Sequence, residues 1–167
     1  MLAVVVAAAL GVAVSAFAAP EAALAERALR AASVAGLVYI GLVDLWARLV
    51  PTLPTLAVGL AGLALAVPGV ATPLEVLVWP VAAWVALTAF ARLARRWRGR
   101  EVLGPGDADL TAALACWAGS GAPLLFALAV GASVIASRAL SPSATTAPLG
   151  LWLAVAGVSS LAGGVGL

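Results

Sequence analysis

Apolar residues arrive in long runs along this chain, and each run is closed by a short cluster of proline, glycine or charge. The runs cover residues 2–19, 31–47, 53–70, 74–92, 108–120, 122–140 and 148–167. A helix needs about 20 mostly apolar residues to cross the hydrocarbon core of a bilayer. The pattern therefore predicts an all-α, polytopic transmembrane helix bundle of six to seven segments, with the backbone satisfied inside each helix. The count turns on residues 108–120, which are too short to cross alone. Either they go in and 122–140 comes back after the Gly119-Ser120-Gly121-Ala122-Pro123 interruption, or 108–140 is one kinked helix. The return is favoured, because it brings Arg138 to the side where the other arginines cluster. Pro51 and Pro54 break the second run, Pro68-Gly69 the third, and Pro73 opens the fourth. Glu75 falls in that helix's first turn, where a carboxylate suits the helix dipole. Frequent glycine and alanine predict close helix–helix approach.

Composition narrows the class. Of the 167 residues, 65% are hydrophobic and 10% charged, whereas a soluble domain carries about a quarter charged residues. Membrane lipid is thus part of the chain's solvent, and no length remains for a separate soluble domain. Residues 1–30 are expected to be an N-terminal membrane helix and a short polar loop, and 31–167 the main membrane domain. Ala16-Phe17-Ala18 looks like a leader cleavage site, but Met1-Leu2-Ala3 supplies no positive start, so the first run reads as a retained helix. Five of the nine arginines fall between Arg92 and Arg100. That is the signature of a positive-inside loop, which places 92–106 in the cytoplasm, rather than of a nucleic-acid surface. Trp79, Trp84 and Trp97 suit either interfacial anchoring or helix packing. With no histidine and one cysteine, an internal disulfide and a cysteine-clustered zinc site are excluded. Cys116, inside an apolar run, reads as a small buried hydrophobe. No metal and no organic cofactor is implied, and the oligomeric state is not encoded legibly.

Two of the three aspartates carry the candidate chemistry. Asp44 ends an apolar run in Leu42-Val43-Asp44-Leu45-Trp46-Ala47-Arg48-Leu49-Val50-Pro51, and Asp107 closes Gly104-Pro105-Gly106-Asp107. Carboxylates at membrane depth are costly and mark working sites. Two apolar segments separate them, so the chain leaves one face, returns to it, and presents both on the cytoplasmic side. Two adjacent carboxylates cannot both ionise cheaply and share a proton, which is the arrangement an aspartyl protease needs. One draws a proton from water while the other hydrogen-bonds the carbonyl under attack. Gly104 and Gly106 offer permissive backbone for close approach of an extended substrate. The plainer readings are an aspartate N-cap at Asp107 and an Asp44–Arg48 pair one helical turn apart.

These residues resemble the type IV prepilin leader peptidases, membrane aspartyl peptidases of the GxGD type. That family's first motif is an aspartate, an arginine-rich turn and Ile-Pro-Asn. Asp44 to Thr52 matches it in spacing, with Arg48 in the turn, Val50 for isoleucine, Pro51 kept, and Thr52 for asparagine. Its second motif, Gly-x-Gly-Asp-x-Lys-Leu followed by Ala-Ala-Leu, resembles Gly104 to Leu114, with Asp109 in place of lysine. Its third, Pro-Phe-Gly-Pro-Phe-Leu-Ala, resembles Pro148 to Ala154, which keep the proline, Gly150 and Leu-Ala. The resemblance runs from about residue 31 to the C-terminus. It implies a membrane-embedded aspartyl endopeptidase that removes the short basic leader of a type IV prepilin-like or pseudopilin precursor at the cytoplasmic face of the inner membrane. Asp44 and Asp107 would be catalytic, and Gly104, Gly106, Arg48, Pro51, Asp109 and Gly150 would shape the site. It implies the short form, without the methyltransferase region of larger members. Asp109 reverses a charge two residues from Asp107, and either raises the proton affinity of the site or turns away into solvent. Together with Thr52 it motivates one alternative, a relative that binds prepilins or assists assembly without cutting. A small transporter or structural subunit with aspartates in ion pairs or a proton path is the other.

Overall fold

A computed structural model describes residues 24–66, 73–99, 103–140 and 149–162, and the run expected at 2–19 lies outside them. Among the described residues there are α-helices and one 3-10 turn but no strand, as the run pattern predicts.

Helix α1 spans Leu24–Ala47. It starts before the polar stretch at 20–30 has ended, so the boundary expected at residue 30 falls inside it. Arg30 and Glu26 pair at 2.6 Å one turn apart and support this first part. Its buried residues, Ser33, Val34, Leu37, Ile40, Gly41 and Asp44, recur at helical spacing and form one stripe. Asp44 is thus the last position of the face that packs inward. The helix ends where Arg48 takes φ +55°, a left-handed conformation that costs a non-glycine residue about 1–3 kcal/mol. Its N–H donates to the Asp44 carbonyl at 3.0 Å and closes the helix.

Helix α2, Thr52–Ala66, starts after Pro51, whose carbonyl accepts the Thr55 hydroxyl at 2.8 Å. Helix α3, Pro73–Arg98, outlasts its apolar run. The sequence predicts a loop from residue 92, but four arginines of that stretch lie on the last turns of the helix. Arginine forms helix readily, and cations suit a helix C-terminus. Gly99, at φ +66°, ends it by donating its N–H to the Arg95 carbonyl at 2.9 Å. Helix α4 spans Pro105–Ala118, a 3-10 turn covers Gly119–Gly121, α5 spans Ala122–Leu140 and α6 spans Leu149–Ala162.

Helices α1, α2, α4 and α6 surround a common core that includes Leu37, Ile40, Val58, Leu110, Leu114 and Leu153. Helix α3 packs on α4, and α5 packs on α6. Small residues set the spacing. At Gly62 of α2, a Cβ would stand 2.8 Å from the Trp117 ring and 2.9 Å from Cys116 Cβ on α4. The Trp117 indole N–H donates to the Val58 carbonyl at 2.9 Å across the same contact. Gly62→Leu is expected to force α2 from α4 and cost about 1–3 kcal/mol, read as a lower melting temperature in detergent. An unchanged melt would show that this seam is not close-packed. Cys116 is buried on α4, as a small hydrophobe should be.

The direction of α5 follows from what it touches. Gly106 and Gly150 both pack on Val50, so α4 and α6 start at the same end of the bundle. Helix α6 reaches only about 20 Å from that end. Helix α5 begins at the far end of α4 and runs alongside α6, so it returns towards the starting end. The reversal occurs at Gly119, whose φ of +51° and ψ of −122° belong to no helix.

Helix α1 and residues Val76–Trp97 of α3 are long and apolar enough to cross a membrane, as is Pro105–Ile135 by length and composition when counted through the Gly119 turn, and Thr52–Ala66 and Leu149–Ser159 are shorter apolar helices. The outer surface exposes Leu60, Val81, Phe90, Leu124 and Ile135, an apolar coat suited to lipid.

Candidate active site

Asp44 is buried, at 6% exposure, among the ends of α1, α4 and α6. Its Oδ2 accepts the Leu151 backbone N–H at 2.9 Å, across 107 residues of sequence. That N–H belongs to the first turn of α6, where helical N–H groups have no partner within the helix. The carboxylate therefore caps α6 from another helix, and the positive end of the α6 dipole faces the negative charge. Arg48, just beyond the end of α1, lies within attractive range of it.

Gly150 makes this approach possible. A Cβ there would lie 3.0 Å from Asp44 Cγ and 2.9 Å from Val50 Cγ2. The site thus needs the shortest side chain at this position, which was expected only to line the site.

Asp107 occupies the first turn of α4, three residues after its N-cap, Gly104. It is not the N-cap itself, as the plainer sequence reading had it. Its Oδ2 reaches back to accept the Gly104 N–H at 3.1 Å. This is one half of a capping box. The Thr111 hydroxyl donates to the Asp107 carbonyl at 2.7 Å one turn later. Asp107 is partly exposed, at the end of the bundle where Asp44 also lies.

Val50 joins the two halves. Its side chain fits against both Gly106 and Gly150, and a Cβ on Gly106 would stand 2.6 Å from Val50 Cβ. Gly106 was read as room for a substrate, whereas here it is room for Val50. Gly104 has φ −70° and ψ 150°, an extended conformation open to any residue. Its contribution is the backbone N–H that Asp107 accepts.

Asp109 turns away from the pair. Its Oδ1 accepts the Trp84 indole N–H of α3 at 2.9 Å. Two residues along a helix rotate a side chain by about 200°, so Asp107 and Asp109 leave α4 on opposite faces. Asp109 is therefore neither beside the pair nor turned out into solvent alone: a tryptophan on α3 holds its carboxylate. Trp84→Phe keeps the ring and removes the donor. It is expected to cost about 1 kcal/mol of stability without changing any activity of the Asp44–Asp107 pair by more than about threefold. A large loss of activity with an unchanged melt would show that Asp109 does act on the pair.

Pro51 supplies its carbonyl to the start of α2 and touches neither aspartate through any hydrogen bond described here. Val50, Leu151 and Trp84 are site residues that sequence reasoning did not single out. For Leu151 a signal existed, since a helix start beside a buried carboxylate offers it orphan N–H groups. Among the described residues, no three histidine, cysteine, aspartate or glutamate side chains are grouped to hold a metal.

A sequence model of the type IV leader peptidase family matches residues 31–159, a stretch containing both aspartates, all three glycines and Val50. No curated protein and no solved structure matches the chain.

Proposed function

Because this chain belongs to the type IV leader peptidase family, we propose that it is a membrane-embedded aspartyl endopeptidase with Asp44 and Asp107 as its catalytic pair. The observation that carries this reading is the convergence of the two carboxylates, 63 residues apart, at the shared start of α4 and α6. Each is anchored through one oxygen to a backbone N–H. The remaining oxygen of each would meet water and the scissile amide. The ionised aspartate takes a proton from water as its oxygen attacks the carbonyl carbon. The protonated aspartate hydrogen-bonds the carbonyl oxygen. The tetrahedral intermediate then breaks its C–N bond as the leaving amine takes a proton.

The substrate proposed is a type IV prepilin-like or pseudopilin precursor, cut behind its short basic leader at the cytoplasmic face of the inner membrane. Arg92, Arg95, Arg96 and Arg98 support that orientation, since they end α3 on the side from which α4 starts, and arginine-rich ends stay in the cytoplasm. The six described helices plus the run at 2–19 would make seven segments, the 14-residue α4 being a short one. The bond between Trp84 and Asp109 favours a cutting enzyme over a non-cutting relative, because it occupies the acidic residue that raised that alternative.

The test is leader removal in membranes. The chain is co-expressed with several candidate prepilins, and the product N-terminus is read by mass spectrometry, beside the double variant Asp44→Asn/Asp107→Asn. Cleavage by the parent alone supports the proposal. Cleavage by neither, or equally by both, overturns it.

A further inference from the structure

Two cavities meet at the Trp84–Asp109 bond on the face of α4 away from the catalytic pair. The lower one, about 350 Å³, lies between α2, α3 and α4, and is walled by Leu56, Leu60, Leu63, Pro80 and Cys116. Leu56 and Leu60 are exposed on its outer rim, so the groove opens sideways through the apolar coat. It follows α2 from Thr52 to Leu63, a length of about 16 Å. The upper cavity, about 400 Å³, is walled by Thr88, Arg92 and Arg95 of α3 and by Gly104 and Pro105 at the start of α4. Trp84 and Asp109 line both.

We propose that these joined cavities bind one anionic phospholipid, its phosphodiester between Arg92 and Arg95 and one acyl chain in the groove between α2 and α3. The order of the chemistry along the site carries the assignment. Cations and the Thr88 hydroxyl stand at the arginine-rich end, and a mainly apolar wall, with Thr52 and Thr55 at the start of α2, follows and opens to the bilayer. Basic pockets between membrane helices take lipid headgroups in this way. Asp109 contributes a negative charge to the shared wall, and its Oδ1 is engaged by Trp84. The two arginines also repel the basic leader of the substrate proposed above, which favours lipid over substrate as the occupant. A lipid seated here braces α3 against α2 at the level of the Gly104 turn, one residue triplet from Asp107.

The site is tested first by lipid binding. The full chain in detergent is titrated with palmitoyl-oleoyl phosphatidylglycerol and, separately, with phosphatidylcholine of the same chains, and retained lipid is counted by native mass spectrometry. One phosphatidylglycerol is expected to bind in preference to phosphatidylcholine. Arg92→Gln with Arg95→Gln should weaken it about thirtyfold, roughly a factor of five for each cation. Leu60→Trp, which fills the groove and keeps both arginines, should weaken it about tenfold, the worth of one to two buried methylenes. Both variants should keep the parent's circular dichroism, and the comparison of the two lipids on the parent needs no variant. No retained lipid, or retention unchanged in both variants, overturns the proposal. Displacement by soluble glycerophosphate would reveal a phosphate site with no part for the groove, and also overturns it. So does a Leu60→Trp protein that keeps its lipid but no longer processes a prepilin, because the groove would then belong to the substrate's apolar helix.

Discussion

Asp44→Asn is expected to lower leader removal by about two to four orders of magnitude while leaving the bundle folded. The two effects separate because Asp44 does two jobs. Its carboxylate supplies half of the proposed proton-sharing pair, and it caps α6 through the Leu151 N–H. The amide oxygen of an asparagine can accept that N–H, so the cap survives. The proton shuttle does not survive, since an amide neither takes a proton from water nor shares one with Asp107. Asp44→Ala removes both. It leaves a buried backbone N–H without a partner, at about 1–3 kcal/mol, so its melting temperature should fall as well as its activity. Asp107→Asn should behave like Asp44→Asn, because its amide oxygen can still accept the Gly104 N–H. The measurements are initial rates of prepilin cleavage and thermal melts in the same detergent. Activity of either asparagine variant within about tenfold of the parent would remove that aspartate from the chemistry. Inactivity of Asp44→Asn accompanied by a collapsed melt would mean that the cap, not the proton, was lost.

Much of this arrangement was legible before any coordinates. Asp44 can be placed from its stripe alone, since Val34, Leu37, Ile40 and Gly41 precede it at helical spacing and fix which face turns inward. The return of the chain between Asp44 and Asp107 follows from two intervening apolar runs. The break between α4 and α5 is legible in the glycine-rich stretch that follows residues 108–120, a run too short to cross alone. Hydropathy failed where it stopped tracking helix. The end of α3 is rich in arginine and still helical, because backbone hydrogen bonding needs no apolar side chain. Contacts between distant positions were also hidden. Nothing in the spacing of Trp84 and Asp109, 25 residues apart on separate helices, announces their bond. The glycines were visible as unusual, but their partner was not. A Cβ at either Gly106 or Gly150 would strike Val50, and an exposed-looking valine before a proline gives no sign that two helix starts will close on it.

That wedge carries the second large effect. Gly106→Ala and Gly150→Ala are each expected to reduce cleavage by about a hundredfold, because a shift of about 1 Å at a catalytic centre has that cost. A Cβ on Gly150 would stand 3.0 Å from Asp44 Cγ and 3.1 Å from its Oδ2, closer than carbon atoms pack. Either Asp44 swings from the Leu151 N–H or α6 backs away from α1, and both open the pair. A Cβ on Gly106 would stand 2.6 Å from Val50 Cβ, so α4 must move and carry Asp107 with it. The two clashes predict different rescues. Val50→Gly removes the atom that Gly106→Ala strikes and should restore most of that variant's activity. In Gly150→Ala, Val50→Ala removes only the Val50 Cγ2 contact at 2.9 Å and leaves the clash with Asp44, so its rescue should be partial at best. Cleavage rates of the two single variants and the two pairs settle the matter. If Gly106 instead serves the approach of a substrate backbone, Gly106→Ala will stay inactive whatever stands at position 50. Its defect will then appear mainly in KM, with an unchanged melt, and the wedge will have no part in holding the two aspartates together.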